Sequence, residues 1–89
     1  MIFIVNPNSG TGNKDAVISR LESAGHKVVY TQYQGHAEEI ARQAAERVVV
    51  AVGGDGTVNE VARGLYGTDK VLGIIPCGSG DGLALHLGI

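Results

Sequence analysis

The feature that most constrains this fold is an alternation of short apolar runs with stretches of helical periodicity. Four runs are rich in β-branched residues and are followed by segments that contain glycine or polar residues; they span residues 2–5, 27–31, 48–52 and 71–75. Such runs are typical of strands. The first, third and fourth are apolar at successive positions, which predicts strands that are covered on both faces.

Between the runs, apolar residues recur at the i, i+3, i+4 spacing of helices. Three stripes follow this rule: Val17, Ile18, Leu21 and Ala24; Ala37, Ile40, Ala41, Ala44 and Ala45; and Val58, Val61, Ala62 and Leu65. The first stripe ends at Gly25, where a left-handed C-terminal cap is expected. The alternation predicts right-handed βαβ units in a three-layer α/β/α sandwich, Rossmann- or flavodoxin-like, with a mostly parallel sheet of about four strands.

Glycine-rich loops follow the first, third and fourth predicted strands. Ligands of open α/β sheets bind at the carboxyl ends of the strands, so we expect these three strands to be neighbours. The predicted strand order is 2-1-3-4, with a ligand crevice between the first and third strands.

The most informative loop is the Gly-Gly-Asp-Gly sequence of residues 53–56, between the third run and the third helical stripe. Glycines let backbone N–H groups approach an anion, and the following helix adds unpaired donors and a partial positive charge. Thr57 and Glu60 have the spacing of a capping box, which predicts a helix start at Thr57. A type I′ hairpin turn at Asp55-Gly56 is the alternative, but the helical period of residues 58–65 disfavours it.

Asp55 requires its own explanation, because a carboxylate beside phosphates is repulsive. It can bind a metal ion, accept a proton, or fix the amides of its own loop. Phosphoryl transfer uses Mg²⁺ to neutralise charge, and a hydroxyl acceptor benefits from a carboxylate base. The residues alone leave the three roles open.

Two further loops have a similar composition. Residues 6–13 offer amides and hydroxyls to phosphate oxygens, although alone they are equally consistent with a turn. They are not a P-loop, because no Gly-Lys-Ser or Gly-Lys-Thr follows the glycines, so Lys14 receives no phosphate role. Residues 76–84 are again glycine-rich and precede a segment that we predict to be helical.

Composition excludes several classes of function. The net charge is −2 and the seven Lys and Arg residues are scattered, which argues against nucleic-acid binding. No run reaches the roughly 18 apolar residues that span a bilayer, and Met1 leads directly into the first strand. Cys77 is the only cysteine, so no internal disulfide forms. We therefore expect a cytoplasmic protein.

The histidines and acids do not have the spacing of a zinc site. We interpret His26 and His86 as surface or packing residues and Cys77 as a small hydrophobic residue. His36 begins the helix after the second strand, and a local role at that helix start is favoured over catalysis.

Three blocks, in this order and spacing, resemble the catalytic-domain motifs of diacylglycerol kinases and related lipid kinases: Asn6-Pro7 with Ser9-Gly10, Gly53 to Glu60, and Pro76 to Gly80. Tyr30-Thr31 and Gly35-His36-Ala37 are also similar to the family's segment after the second strand. The resemblance covers essentially the whole chain. The central block is shared with sphingosine kinases and NAD kinases, and the other two favour the lipid-kinase branch.

This resemblance implies an ATP-dependent lipid kinase that uses Mg²⁺ and transfers the γ-phosphoryl group to a lipid hydroxyl such as that of diacylglycerol, in phospholipid metabolism. Residues 1–89 would be the N-terminal, ATP-binding part of the diacylglycerol kinase/NAD kinase fold, incomplete without a C-terminal β-rich domain, with at most peripheral membrane contact. The positions expected to contact ATP are Asn6, Ser9, Gly10, Thr31, Gly53, Gly54, Asp55, Gly56, Thr57, Asn59, Glu60, Gly78, Ser79 and Gly80.

By the same resemblance, Asp55 is the candidate catalytic residue. It matches a loop aspartate that is the proton acceptor in some relatives. In bacterial lipid kinases the base and the metal ligands come largely from the C-terminal domain, so the metal ligands stay unassigned. Asp81 stands where the family usually has Asn; it would either recruit a cation or weaken nucleotide binding by charge repulsion.

Other functions remain as alternatives. NAD kinase or sphingosine kinase activity shares the central block, and a non-catalytic nucleotide-binding module would use the same loops. A plain α/β scaffold without a ligand is the third alternative. A sheet of about four strands leaves an edge exposed, so homodimerisation is a further hypothesis.

Overall fold

The computed structural model describes residues 1–7, 14–76 and 86–88. Strands and helices alternate, as predicted, through most of this part of the chain. The strands are β1 (Ile2–Val5), β2 (Lys27–Tyr30), β3 (Val48–Gly53), β4 (Val71–Pro76) and β5 (His86–Gly88), and the helices are α1 (Lys14–Ser23), α2 (His36–Gln43) and α3 (Asp55–Leu65).

The strands form one sheet in the order β2-β1-β3-β4-β5. The first four strands pair in parallel, which confirms the predicted order 2-1-3-4. β5 pairs antiparallel with β4, with His86 opposite Ile74. The helical prediction for the segment after residue 84 is wrong at residues 86–88, because three residues are too few to show a period and the free edge of β4 offers them backbone partners.

Each face of the sheet carries its own core. Ile2 and Ile4 of β1 point towards α2 and α3, whereas Phe3 and Val5 point towards α1. β1 and most of β3 are therefore buried on both faces, as their continuous apolar sequences predict. β4 is less covered than predicted, because three of its residues, Val71, Leu72 and Ile74, are only half-buried.

The end of α1 confirms the predicted glycine cap. Gly25 has a φ of +83°. Its N–H donates to the carbonyl of Glu22 at 3.0 Å, and the N–H of His26 donates to the carbonyl of Leu21 at 3.0 Å. This is the Schellman arrangement, which satisfies carbonyls of the last turn and turns the chain into β2.

α2 and α3 pack closely on one face of the sheet, and Gly64 is at their contact. A Cβ at this buried position would clash with the carbonyl oxygen of Glu38 and lie 2.8 Å from Ala41 Cβ. The absence of a side chain thus sets the separation of the two helices, and with it the positions of their first turns. Within the described ranges, no helix has the length and hydrophobicity that crossing a bilayer requires.

We predict that Gly64→Ala lowers the free energy of unfolding by about 1–3 kcal/mol, because the backbone of α2 must move away. Gly56→Ala in the same helix is the matched control. No atom lies within 4 Å of a Cβ there, so the better helix propensity of alanine leaves stability unchanged or raises it by about 0.5–1 kcal/mol. Urea denaturation measures both. Equal stability of the two variants would contradict the close packing at Gly64.

Candidate functional site

The parallel register brings the carboxyl ends of the first four strands to the same side of the sheet, which we call its carboxyl edge. Val5 pairs with Tyr30 and Val52, and Gly53 pairs with Pro76. The N–H of Thr31 continues the ladder by donating to the carbonyl of Val5 at 2.8 Å. The segments that follow β1, β2 and β3 therefore start side by side, as predicted.

A cleft of about 190 Å³ opens at this edge. It reaches from the end of β1 over the loop after β2 to the first turns of α2 and α3. Its lining residues are Asn6, Thr31, Gln32, Tyr33, Gln34, Ala37, Thr57 and Glu60. The structure thus brings together four predicted site residues, Asn6, Thr31, Thr57 and Glu60. The volume is below the roughly 300–1,000 Å³ of pockets that enclose a whole drug-sized ligand.

α3 begins two residues earlier than predicted. Gly54 is its N-cap, with φ −91° and ψ −167°, and no side chain caps the helix. The capping box at Thr57 and Glu60 is therefore wrong, and so is the hairpin alternative at Asp55-Gly56. Gly53 explains the early start: its φ of +152° is a conformation that glycine adopts readily, and it turns β3 directly into the helix.

The first turn of α3 is open to an anion. Gly54 provides no side-chain cap, so among the described residues the first N–H groups of the helix and its partial positive charge face a possible ligand site. A Cβ at Gly54 or at Gly56 would meet no atom within 4 Å. The glycines therefore leave space beside the helix start, which suits a phosphate group.

Thr57, in the same turn, is a buried polar residue. Its side chain is only 4% exposed, and its Oγ1 has no hydrogen-bond partner among the described residues. A buried hydroxyl without a partner costs about 1–3 kcal/mol. Thr57 also lines the cleft, so a buried hydroxyl without a described partner lies at the wall of this cleft.

Asp55 is the first residue of α3 and is exposed. Its carboxylate contacts no described residue by a hydrogen bond or an ion pair, so these residues give no support to a role in fixing the loop. Residues 1–7, 14–76 and 86–88 contain no group of three or more His, Cys, Asp or Glu residues that would hold a metal ion. Mg²⁺ commonly binds one or two carboxylates together with phosphate oxygens and water, so a group of three protein ligands is not a requirement for it.

Of the remaining predicted site residues, one lies apart from the cleft and five are outside the described residues. Asn59 is in α3 but lines a separate depression on the outer side of α2 and α3, with Glu38, Arg63 and the exposed Tyr66. Ser9, Gly10, Gly78, Ser79 and Gly80 are outside the described residues, as are Cys77 and Asp81. The side chain of His86 is not described either, so its predicted role stays a prediction.

Four residues of the cleft were not predicted: Gln32, Tyr33, Gln34 and Ala37. The available signal was their position directly after the second strand, beside Thr31. The loop after β2 lacks the glycines of the other loops until Gly35, so glycine content gave no indication of a site.

Two side chains order this loop. The ring of Tyr33 stacks on the ring of His36, with centroids 4.4 Å apart and 13° between the planes. The Tyr33 hydroxyl donates a hydrogen bond to Glu39 Oε2; this bond, desolvation and the carboxylate charge raise the pKa of Tyr33. The contacts of His36 agree with its predicted local role at a helix start.

His26 packs on Phe3, with the ring centroids 5.1 Å apart, which agrees with its predicted surface or packing role.

We predict that Thr57→Val leaves the free energy of unfolding unchanged or raises it by about 1 kcal/mol, because it removes a buried hydroxyl without a partner. Thr68→Val is the matched control. The Thr68 hydroxyl donates to the Leu65 carbonyl at 2.6 Å and accepts from the Lys70 N–H at 3.2 Å, so its loss costs about 0.5–1.5 kcal/mol. Thermal and urea denaturation compare the two. An equal loss of stability in both would show that the Thr57 hydroxyl has a partner.

The chain belongs to the family of the diacylglycerol kinase catalytic domain, whose model matches residues 1–89. It is 38% identical to the diacylglycerol kinase of Bacillus subtilis (strain 168), over 98% of this chain and 32% of that protein. It is 35% identical to sphingoid long-chain bases kinase 1 of Arabidopsis thaliana, over 93% of this chain and 13% of that protein.

The fold comparison agrees. A crystal structure of a diacylglycerol kinase from Bacillus anthracis str. Sterne superimposes with a TM-score of 0.71 at 28% identity, covering 88% of this chain and 32% of that chain. The chain therefore spans about a third of the length of the diacylglycerol kinases that it matches.

Proposed function

We propose that this chain is the N-terminal, ATP-binding part of a lipid kinase that transfers the γ-phosphoryl group of ATP to a hydroxyl of a lipid such as diacylglycerol. The observation that carries the proposal is Thr57, which lines a cleft at the start of α3 and has a buried hydroxyl without a partner among the described residues. Membership of the diacylglycerol kinase family supports the same chemistry.

In this proposal the start of α3 binds the phosphates. The free N–H groups of its first turn and the Thr57 hydroxyl donate hydrogen bonds to phosphate oxygens, and the helix dipole favours their negative charge. Asn6, Thr31 and Glu60 line the same cleft and supply polar groups to the rest of the nucleotide. Ser9, Gly10, Gly78, Ser79 and Gly80 complete the proposed set of contacts.

Asp55 is the proposed catalytic residue. Its exposure in the first turn of α3 supports a role in accepting the proton of the lipid hydroxyl or in binding Mg²⁺. The magnesium ion would neutralise charge on the transferred phosphoryl group. Positioning of the two substrates and this neutralisation supply most of the catalysis in such reactions.

The proposal includes a cytoplasmic location, which provides ATP, and peripheral contact with the membrane that contains the lipid acceptor. A non-catalytic nucleotide-binding module is the second candidate. It would use the same cleft and the same first turn of α3.

We predict that Asp55→Asn lowers the rate of phosphoryl transfer at least about 100-fold, the usual contribution of a general base, and changes the Kd for MgATP far less. Calorimetric titration of MgATP into the 89-residue chain measures binding. Transfer to diacylglycerol is measured in a chimera in which this chain replaces the matching segment of the Bacillus subtilis diacylglycerol kinase. Asp69→Asn, an exposed aspartate beyond the end of α3, is the control and leaves both quantities unchanged.

The outcomes separate the two candidates. The kinase is supported if the 89-residue chain binds MgATP, the chimera transfers phosphoryl groups to diacylglycerol, and Asp55→Asn removes that transfer. Binding without transfer by the chimera supports the module. Absence of MgATP binding in both proteins would overturn the ATP site.

A further inference from the structure

We propose that His36 is a positioning residue for nucleotide binding, which holds the wall of the cleft formed by Gln32 and Tyr33. This inference rests on the proposed function, because the ligand of the cleft is taken to be MgATP. His36 does not line the cleft itself. Gln32 and Tyr33 line it, and so does Ala37, the residue after His36. Its effect on a ligand is therefore indirect.

The first contact of His36 fixes the backbone of the loop. The N–H of Gln32 donates a hydrogen bond to His36 Nδ1 at 2.9 Å. An imidazole nitrogen that accepts such a bond carries no proton, so the ring proton is on Nε2. The bond spans the loop between β2 and α2, where no strand or helix ladder orders the chain.

The second contact fixes the side chain of Tyr33. The two rings stack at 4.4 Å, and the N–H of His36 donates to the carbonyl of Tyr33 at 3.1 Å. Glu39 accepts a hydrogen bond from the Tyr33 hydroxyl. Tyr33 is 56% exposed, yet one ring face and the hydroxyl are both held in place.

The start of α2 explains why one side chain has both tasks. Gly35 is the N-cap of α2 and provides no side-chain hydrogen bond to the helix. The imidazole of the next residue instead reaches back over the loop and binds it at two points. A loop ordered before the ligand arrives avoids an entropic cost of binding. Loss of this order would weaken nucleotide binding without changing the transfer step at saturation.

Four variants of the 89-residue chain test the proposal by calorimetric titration with MgATP. His36→Ala removes both contacts and is expected to raise the Kd about 5- to 10-fold. His36→Asn restores an acceptor in Oδ1, and His36→Phe restores an aromatic stack, so both are expected to lie between His36→Ala and the wild type. His26→Ala is the matched control, and its Kd is expected to be unchanged. His26 directly precedes β2, at the amino ends of the strands, and its ring packs on that of Phe3.

Two further readouts distinguish positioning from a general structural role. Amide hydrogen exchange at Gln32 is expected to be slow in the wild type and His36→Asn and fast in His36→Ala and His36→Phe. In the chimera, His36→Ala is expected to raise the KM for ATP and leave kcat unchanged. If His36→Ala does not fold, the other two variants decide, because each lacks one of the two contacts.

The failures are distinguishable. Binding of MgATP by the wild type with an unchanged Kd in all His36 variants would overturn the positioning role and leave the proposed function intact. A raised Kd with unchanged exchange at Gln32 in His36→Ala would also overturn it. Absence of MgATP binding in the wild-type chain and the chimera would overturn the proposed function, and the role of His36 with it.

Discussion

The burial of β1 and β3 on both faces is the constraint on which the rest of the structure depends. Apolar side chains at successive positions can be removed from water only if helices cover both sides of the sheet. α1 covers one face, and α2 with α3 covers the other. The crossovers make the strands parallel, so the segments after β1, β2 and β3 start at one edge, and the cleft follows from this arrangement.

At the carboxyl ends of the strands, two local features reduce the stability of the free chain, and a bound ligand would offset them. The Thr57 hydroxyl is buried without a partner among the described residues, and the first turn of α3 has no side-chain cap. Both features lower the stability of the free chain, and both provide donors for an anion. A ligand that binds only the folded state raises its stability by an amount that grows with the logarithm of the ratio of ligand concentration to Kd. The loop after β2 differs, because the contacts of His36 and Tyr33 order it without a ligand.

Much of this arrangement could be predicted from the sequence, because long apolar runs and helical stripes depend on burial. The strand order, the ends of β1 and the cap at Gly25 agree with the prediction. The start of α3 did not, since the backbone freedom of Gly53 and Gly54 outweighed the capping-box spacing. The face of α3 on which Asn59 lies depends on where the helix begins, so the wrong start also gave the wrong face for Asn59. The strand β5 forms by pairing with the outer strand β4, and that partner exists only in the folded sheet. For Gln32 and Tyr33 the sequence offers only their position beside Thr31 after the second strand, because ordinary loop residues become a cleft wall only through tertiary contacts.

Amide chemical shifts of the labelled 89-residue chain during a titration with MgATP show whether the cleft at the carboxyl ends of the strands binds the nucleotide. Binding there would produce saturable shifts at Thr31, Gln32, Gly54 and Thr57, with no comparable change around Tyr66 in the outer depression of α2 and α3. Saturable shifts confined to the outer depression, or no saturable shifts at all, would contradict nucleotide binding in the cleft.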